Sequence, residues 1–270
     1  MGQGSDPSSM IYRGRVAIPP PPGYNGTPYW DTTGFRPGRA MFNGRLYGDV
    51  LLRVDASAGL VHVRPGMSYA PSIPERDQLS WIEREGVRFV NLQYQGIKGA
   101  ESGFYEVVFD GSDALLRRVN RRLRTGSGDH RQLIGYSDPN YNPSYLSYYD
   151  YSEDFYLLSK NGGLTKLDNK NSIARIFRSR AAELRRHMRA AGLTGIGVSR
   201  RAYFHEAFAF LDEGGPGALE GLVVNWHPVE GSGTDVRTPA VAAPRPESLR
   251  AVLPDGYFEE RDESDALSEA

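Results

Sequence analysis

The chain has 270 residues and a formal net charge of −1, from 32 Lys and Arg against 33 Asp and Glu. That length supports one large domain or two modest ones with a real core, and that balance excludes a global electrostatic pull toward nucleic acid or acidic lipid. Cysteine is absent, which excludes a disulfide framework, a thiol nucleophile, a Cys-type zinc site and a lipoprotein-style cysteine.

The opening "MGQGSDPSSM" is polar and lacks the apolar core of a signal peptide. The chain is read either as cytosolic or as a mature form whose leader precedes this numbering, with Met1 and Gly2 native or appended. Residues 1–38 read as an extended proline-rich arm: "AIPPPPGYNGTPYWDTTGFRPG" holds a four-proline run and several turn dipeptides. Tyr24, Tyr29, Trp30 and Phe35 suggest that this arm is tied down on a core, since a polar proline-rich arm without aromatics would read as disorder.

From about Ala40 the pattern becomes short β-segments punctuated by turns. Asn43-Gly44 is a strong hairpin signal, and Val50, Leu52 and Val54 alternate with Leu51, Arg53 and Asp55 as in a half-buried strand. Further hairpins are predicted around Ala58-Gly59, Glu85-Gly86, Asp110-Gly111 and Asn161-Gly162. Their spacing is irregular, so the prediction is an antiparallel β-meander or open barrel-like sheet rather than a repeat array. "GYSDPNYNPSYLSYYDYSEDFY", between the Asp110-Gly111 and Asn161-Gly162 hairpins, reads as a long loop.

Two or three helices follow and are expected to pack on the sheet, making the class α+β. Asn171 or Ser172 caps a short first helix, Ser179 a second ending at Gly192, and Ser199 a third over "RRAYFHEAFAFLDE". The meander and helices span 39–213, and 214–270 reads as a Gly/Pro/acidic tail, mostly disordered, in which residues 219–230 have the apolar content to add a strand.

On a wheel of about 100° per residue, Ile173, Ile176, Phe177, Ala181, Leu184, Met188 and Ala191 share one side. Arg175, Arg178, Arg185, Arg186 and Arg189 share the other, and Arg180 lands among the apolar positions, which fits a break near Arg178–Ser179. An amphipathic helix docked on a sheet requires this stripe, so the basic face of Arg185, Arg186 and Arg189 is read first as solvated filler. Anionic lipid or an acidic partner is the secondary reading, and nucleic acid is disfavoured because no recognition motif accompanies the arginines.

Three segments carry a resemblance. "GTPYWDTTGFRPGRAMFNGRLYGDVLLRVDASAGLVHV", "GFYEVVFDGSDALLRR" and "DFYLLSKNGGLTKLDNKNSIARIFRSRAAELRRHMRAAGL" together resemble a family of secreted, largely uncharacterised envelope proteins of Bacteroidota. The likeness covers about residues 26–195; here arginine or neutral residues replace the relatives' lysines, and Arg178-Ser179 stands where they carry Pro-Asp. It implies a β-meander followed by a hairpin and short helices, and a periplasmic or secreted setting. It implies no catalytic residue.

Chemistry-bearing groups are sparse in pattern. His62, His130, His187, His205 and His227 lack metal-ligand spacing, and "HEAFAF" has Ala209 where a zinc protease needs its second histidine. His62 is read as a surface cross-strand residue and His205 as packing on or capping the last helix. The carboxylate pairs Asp49 with Asp55 and Glu153 with Asp154 would serve a glycosidase only across a cleft. No catalytic residue, metal or cofactor is therefore predicted, and no segment reaches the roughly 20 apolar residues of a membrane span. Tyr136, Tyr141, Tyr145, Tyr148, Tyr149 and Tyr151 are the candidate binding residues, either contacting a sugar or protein or pinning a long loop to the sheet. The expectation is an exported, non-enzymatic envelope protein working through protein–protein contacts, with an envelope or outer-membrane partner. The alternative is a glycan-binding module or weak carbohydrate-active enzyme using the tyrosine loop.

Overall fold

Hairpin chemistry organises the molecule. In the computed structural model, which describes residues 2–3, 6–135, 138–195, 197–214 and 216–223, Asn43-Gly44 and Glu85-Gly86 both carry positive φ at two successive positions (49° and 71°, 50° and 77°). That geometry matches the right-handed twist of the flanking strands. The strands in chain order are β1 (Gly2–Gln3), β2 (Arg15–Val16), β3 (Tyr24–Asn25), β4 (Arg36–Phe42), β5 (Arg45–Asp55), β6 (Leu60–Arg64) and β7 (Ser72–Ile73). There follow β8 (Leu79–Arg84), β9 (Val87–Val90), β10 (Tyr105–Asp110), β11 (Asp113–Thr125), β12 (Ser147–Ser159) and β13 (Leu164–Leu167). The helices are α1 (Asn171–Ile176), α2 (Ala181–Ala190), α3 (Arg200–Leu211) and α4 (Ala218–Leu222).

The class is α+β: one large open sheet, mostly antiparallel, with helices following it. Its path runs β13-β12-β11-β10-β9-β8-β4-β5-β6-β7-β2. Two meanders, β4 to β7 and β8 to β13, are therefore joined side by side through the antiparallel β4–β8 ladder. Two short strands pair in parallel: β1 with β5, and β3 with β12.

Three apolar clusters hold the sheet. One face is covered at β4–β9 by Ile11, Tyr12 and Trp30 of the N-terminal arm, packed against Val50, Leu52, Val54 and Phe89. The same face is covered at β10–β13 by α1–α3, where Phe204, Phe208, Leu184 and Met188 meet Phe109, Leu115, Phe155 and Leu157. The opposite face packs Trp81, Tyr105, Leu116 and Tyr156 against Leu92, Ile97 and α4. The packed chain thus continues past residue 213, because Ala218 and Leu219 are buried. Residues 224–270, which include most of the anticipated tail and of the 219–230 segment, lie outside the described residues; 218–222 are helical.

The helices end as their sequences dictate in two places. Ser199 Oγ accepts from the Ala202 amide at 3.1 Å at the start of α3. Gly192, at φ 70°, closes α2 with paired bonds from Gly192 N to Arg189 O and from Leu193 N to Met188 O, the Schellman arrangement. Ser179 does not cap α2. It lies inside a 3-10 turn, Arg178–Arg180, and the position before α2 is Arg180. This turn is the break that Arg180 demanded: its guanidinium donates to the Leu211 and Phe210 carbonyls, at 2.9 and 3.2 Å, at the end of α3. The reversal at Phe177 also turns Ile176 outward, 41% exposed, against its place on the apolar side of the wheel.

Candidate functional site

The tyrosine segment is the region whose side chains are least explained by core formation. Its second half is strand, not loop: β12 starts at Ser147, so Tyr148, Tyr149 and Tyr151 alternate along a ladder in which they face Arg124, Leu123 and Arg121. Tyr141 and Tyr145 stand in the preceding connection, and Tyr136 lies outside the described residues.

The N-terminal arm holds this connection in place. Asn25 is fully buried; its amide nitrogen donates to Asn142 O at 2.9 Å and its carbonyl accepts from Asn142 N at 2.8 Å. Gly26 N donates to Asp138 Oδ2 at 2.9 Å. Arg121, 3% exposed, donates to the carbonyls of Ile134 (2.7 Å) and Tyr29 (3.3 Å), so one side chain ties loop and arm together. Gly135 has φ 79°, and a Cβ there would sit 2.4 Å from the Tyr151 ring. Only glycine allows both that conformation and that approach.

Each described tyrosine has a definite neighbour. Tyr149 is buried with its ring edge-on to Tyr24 at 6.0 Å. Tyr151 lies beneath the Arg121 guanidinium, 4.6 Å from it, and donates to Glu153 Oε2 at 2.9 Å. Burial first, then the Glu153 charge, push its phenol up to about 12, so it keeps the proton that it donates to Glu153. Tyr148, on the other face, stacks on His130 at 4.0 Å, and Tyr141 Oη accepts from His130 N at 3.1 Å. Tyr145 is half-buried, and its carbonyl faces the Asn25 amide at 3.4 Å. Around them three leucines face solvent: Leu123 (51%), Leu133 (46%) and Leu146 (58%).

Next to this region lies a charged network that a linear reading does not assemble. Glu106, 1% exposed, accepts from Arg117 Nε at 2.8 Å, from Arg201 Nη2 at 2.7 Å and from Trp30 Nε1 at 3.2 Å. Arg117 also reaches Glu153 at 3.3 Å, and Arg200 donates to the Glu153 carbonyl. A signal was present: a glutamate within the apolar run "FYEVVF" must bury its charge against a partner. A recess of about 10 Å³ beside it, lined by Trp30, Asp55, Gly59, Phe104, Glu106 and Arg117, has room for about one water molecule.

The remaining candidates are dispersed. His62 is buried, not a surface residue: Tyr29 of the arm lies edge-on to it at 5.7 Å and Asp55 is 3.7 Å away. Burial lowers its pKa against the opposing pull of Asp55. His205 packs edge-on to Phe109 at 6.0 Å, and burial lowers its pKa too. Asp55 accepts from the Ser57 and Ala58 amides in a turn, while Glu153 and Asp154 alternate along β12 and so face opposite sides. Neither pair forms a dyad across a cleft. Among the described residues no three His, Asp or Glu side chains form a metal-binding group, and no helix is long and apolar enough to cross a membrane. Arg185, Arg186 and Arg189 are exposed on α2, with no carboxylate within 4.0 Å among the described residues.

Comparison of the chain with protein-family models, with curated proteins and with solved structures found no match.

Proposed function

We propose that the protein is an exported, non-enzymatic envelope component that binds a protein partner through the loop end of the β11–β12 hairpin. The observation that carries this reading is that Leu123, Leu133 and Leu146 are each about half exposed at the loop end of the hairpin, which the arm holds in place by pairing β3 with β12. Apolar side chains in water around a rigid frame, with exposed Arg122 and Arg124 beside them, have the composition of a contact patch with a polar rim. Loop-borne residues on a rigid scaffold are where binding concentrates. The exported setting and the envelope or outer-membrane partner rest on the resemblance of the hairpin and helix segments to secreted Bacteroidota proteins. Half-buried Tyr145 and Tyr148, at the same end, support the alternative of a glycan ligand.

The test is affinity capture from the native envelope with the parent chain and a Leu123→Ser, Leu146→Ser variant. The variant is expected to lose its protein partner by roughly ten-fold or more while unfolding at the parent's temperature. Undiminished capture would overturn the reading. Capture of a polysaccharide that depends on Tyr145 and Tyr148 would replace it with the glycan reading.

A further inference from the structure

Arginine is used in two ways in this molecule. On the sheet many arginines are matched with acid: Arg39 with Glu83, Arg84 with Asp31, Arg88 with Glu83, Arg117 with Glu106 and Arg118 with Glu101; Arg15, Arg45 and Arg122 stand exposed and scattered on separate strands. Along α1, the 3-10 turn and α2 such arginines are gathered within fifteen positions. Arg175, Arg178, Arg185, Arg186 and Arg189 are all exposed, and none has a carboxylate within 4.0 Å among the described residues. Glu183, the acid of this stretch, is taken by Arg180 at 3.6 Å.

Such an arrangement costs the helix. Arg185 and Arg189 are four residues apart, where like charges repel. The helix dipole favours the cation of the last turn, Arg189, and offers less to those further from it. We infer that this basic face is a docking surface for anionic lipid headgroups.

Two features favour a membrane surface over an acidic protein. The face is the convex outer side of a helix whose inner side, Leu184 and Met188, is fully committed to the core. A cluster of basic side chains on the outer face of an amphipathic helix is the pattern that attracts anionic headgroups. Beside it stands Ile176, 41% exposed between Arg175 and Arg178, an apolar group placed among cations. Guanidinium forks match phosphate geometry and are weakly hydrated, so they lose little on contact with headgroups. Because the whole chain carries −1, the attraction is local and acts within about 10 Å at 0.1 M salt. This surface is separate from the hairpin end, and its failure would leave the partner-binding reading untouched.

The experiment is co-sedimentation of the full chain with phosphatidylcholine vesicles and with vesicles of phosphatidylcholine and phosphatidylglycerol. The parent should sediment with the anionic vesicles only, and less so as salt rises. Replacing Arg185, Arg186 and Arg189 together by Gln should weaken this by roughly a hundred-fold, at about 1 kcal/mol per cation. Replacing them by Lys should retain most of the binding. A matched control, Arg13, Arg15 and Arg45 to Gln, removes the same charge from exposed positions elsewhere and should bind as the parent does. Equal binding to neutral vesicles, no binding to either, an equal loss in the control, or retention of poly-glutamate in place of vesicles would each overturn the assignment.

Discussion

One face of the sheet is covered twice, by helices over β10–β13 and by an irregular arm over β4–β9 and the loop end of β11–β12. The two covers solve the same problem differently. Helices α1–α3 satisfy their own backbone groups, so they offer the sheet almost pure apolar surface: Phe204 on Phe155 at 5.0 Å, with Leu184 and Met188 beside it. The arm has no internal ladder, and its backbone and side-chain polar groups must find partners in the sheet. Trp30 N donates to Val54 O, Ser57 N to Pro28 O, Arg121 to Tyr29 O and Arg84 to Asp31 and Thr33. The lesson is that regular secondary structure permits a dry cover, and an irregular one needs buried polar side chains as its fasteners. Where the two covers meet, Glu106 is claimed from both sides, by Trp30 of the arm and Arg201 of α3.

This contrast can be broken at each of its parts. The helix side should suffer most: Phe204→Ala is expected to cost about 3–5 kcal/mol and Leu184→Ala about 2–5 kcal/mol, by cavity formation. Denaturant titration measures both. Values near those of an exposed Arg189→Ala, within about 0.5 kcal/mol, would mean that the helix is not docked as described.

At the seam, Glu106→Gln should cost about 3 kcal/mol, since two arginines would remain with an uncharged partner in a desolvated place. A variant as stable as the parent would show that the seam is hydrated enough to tolerate the loss. On the arm side, Asn25→Ala should cost about 1–3 kcal/mol. Hydrogen exchange should show the effect confined to the arm and to residues 138–146, while the amides of Leu157 and Phe208 keep their protection. Loss of protection across both covers would mean that the arm and helices unfold as one.

The smallest effect is on pH dependence. His62 lies under the arm and His205 sits on α3 against Phe109 of β10, and burial lowers both pKa values in the folded chain. Below the unfolded value of about 6.5, the unfolded state therefore binds more protons than the native one. Stability is full above that value and declines as pH falls through it toward the folded values. Unfolding followed from about pH 8 down to about pH 5 should show this decline, and His62→Gln should flatten part of it. A stability that rises on acidification would contradict the burial of both rings.

Much of the frame was legible. The turns at Asn43-Gly44 and Glu85-Gly86 require positive φ that few residue pairs supply, and Val50, Leu52 and Val54 can face one way only in a strand. Ser199 and Gly192 mark helix ends for equally local reasons. The candidate site was less so. The tyrosines stood out by composition, yet their division into strand residues and connection residues depended on where β12 could pair with β11.

What the sequence by itself determined is whatever depends on near neighbours along the chain: turns, alternation, the helix ends at Ser199 and Gly192, and the apolar stripe of α2. Tertiary structure alone decided the joining of two meanders through β4 and β8, the parallel pairing of the arm with β12, and the fates of His62, Ile176, Arg180 and Glu106. The reason is physical. Burial and ion pairing are set by atoms distant in sequence, such as the 95 residues that separate Glu106 from Arg201. A local pattern shows that a charge or ring needs a partner, but only the packed chain supplies it.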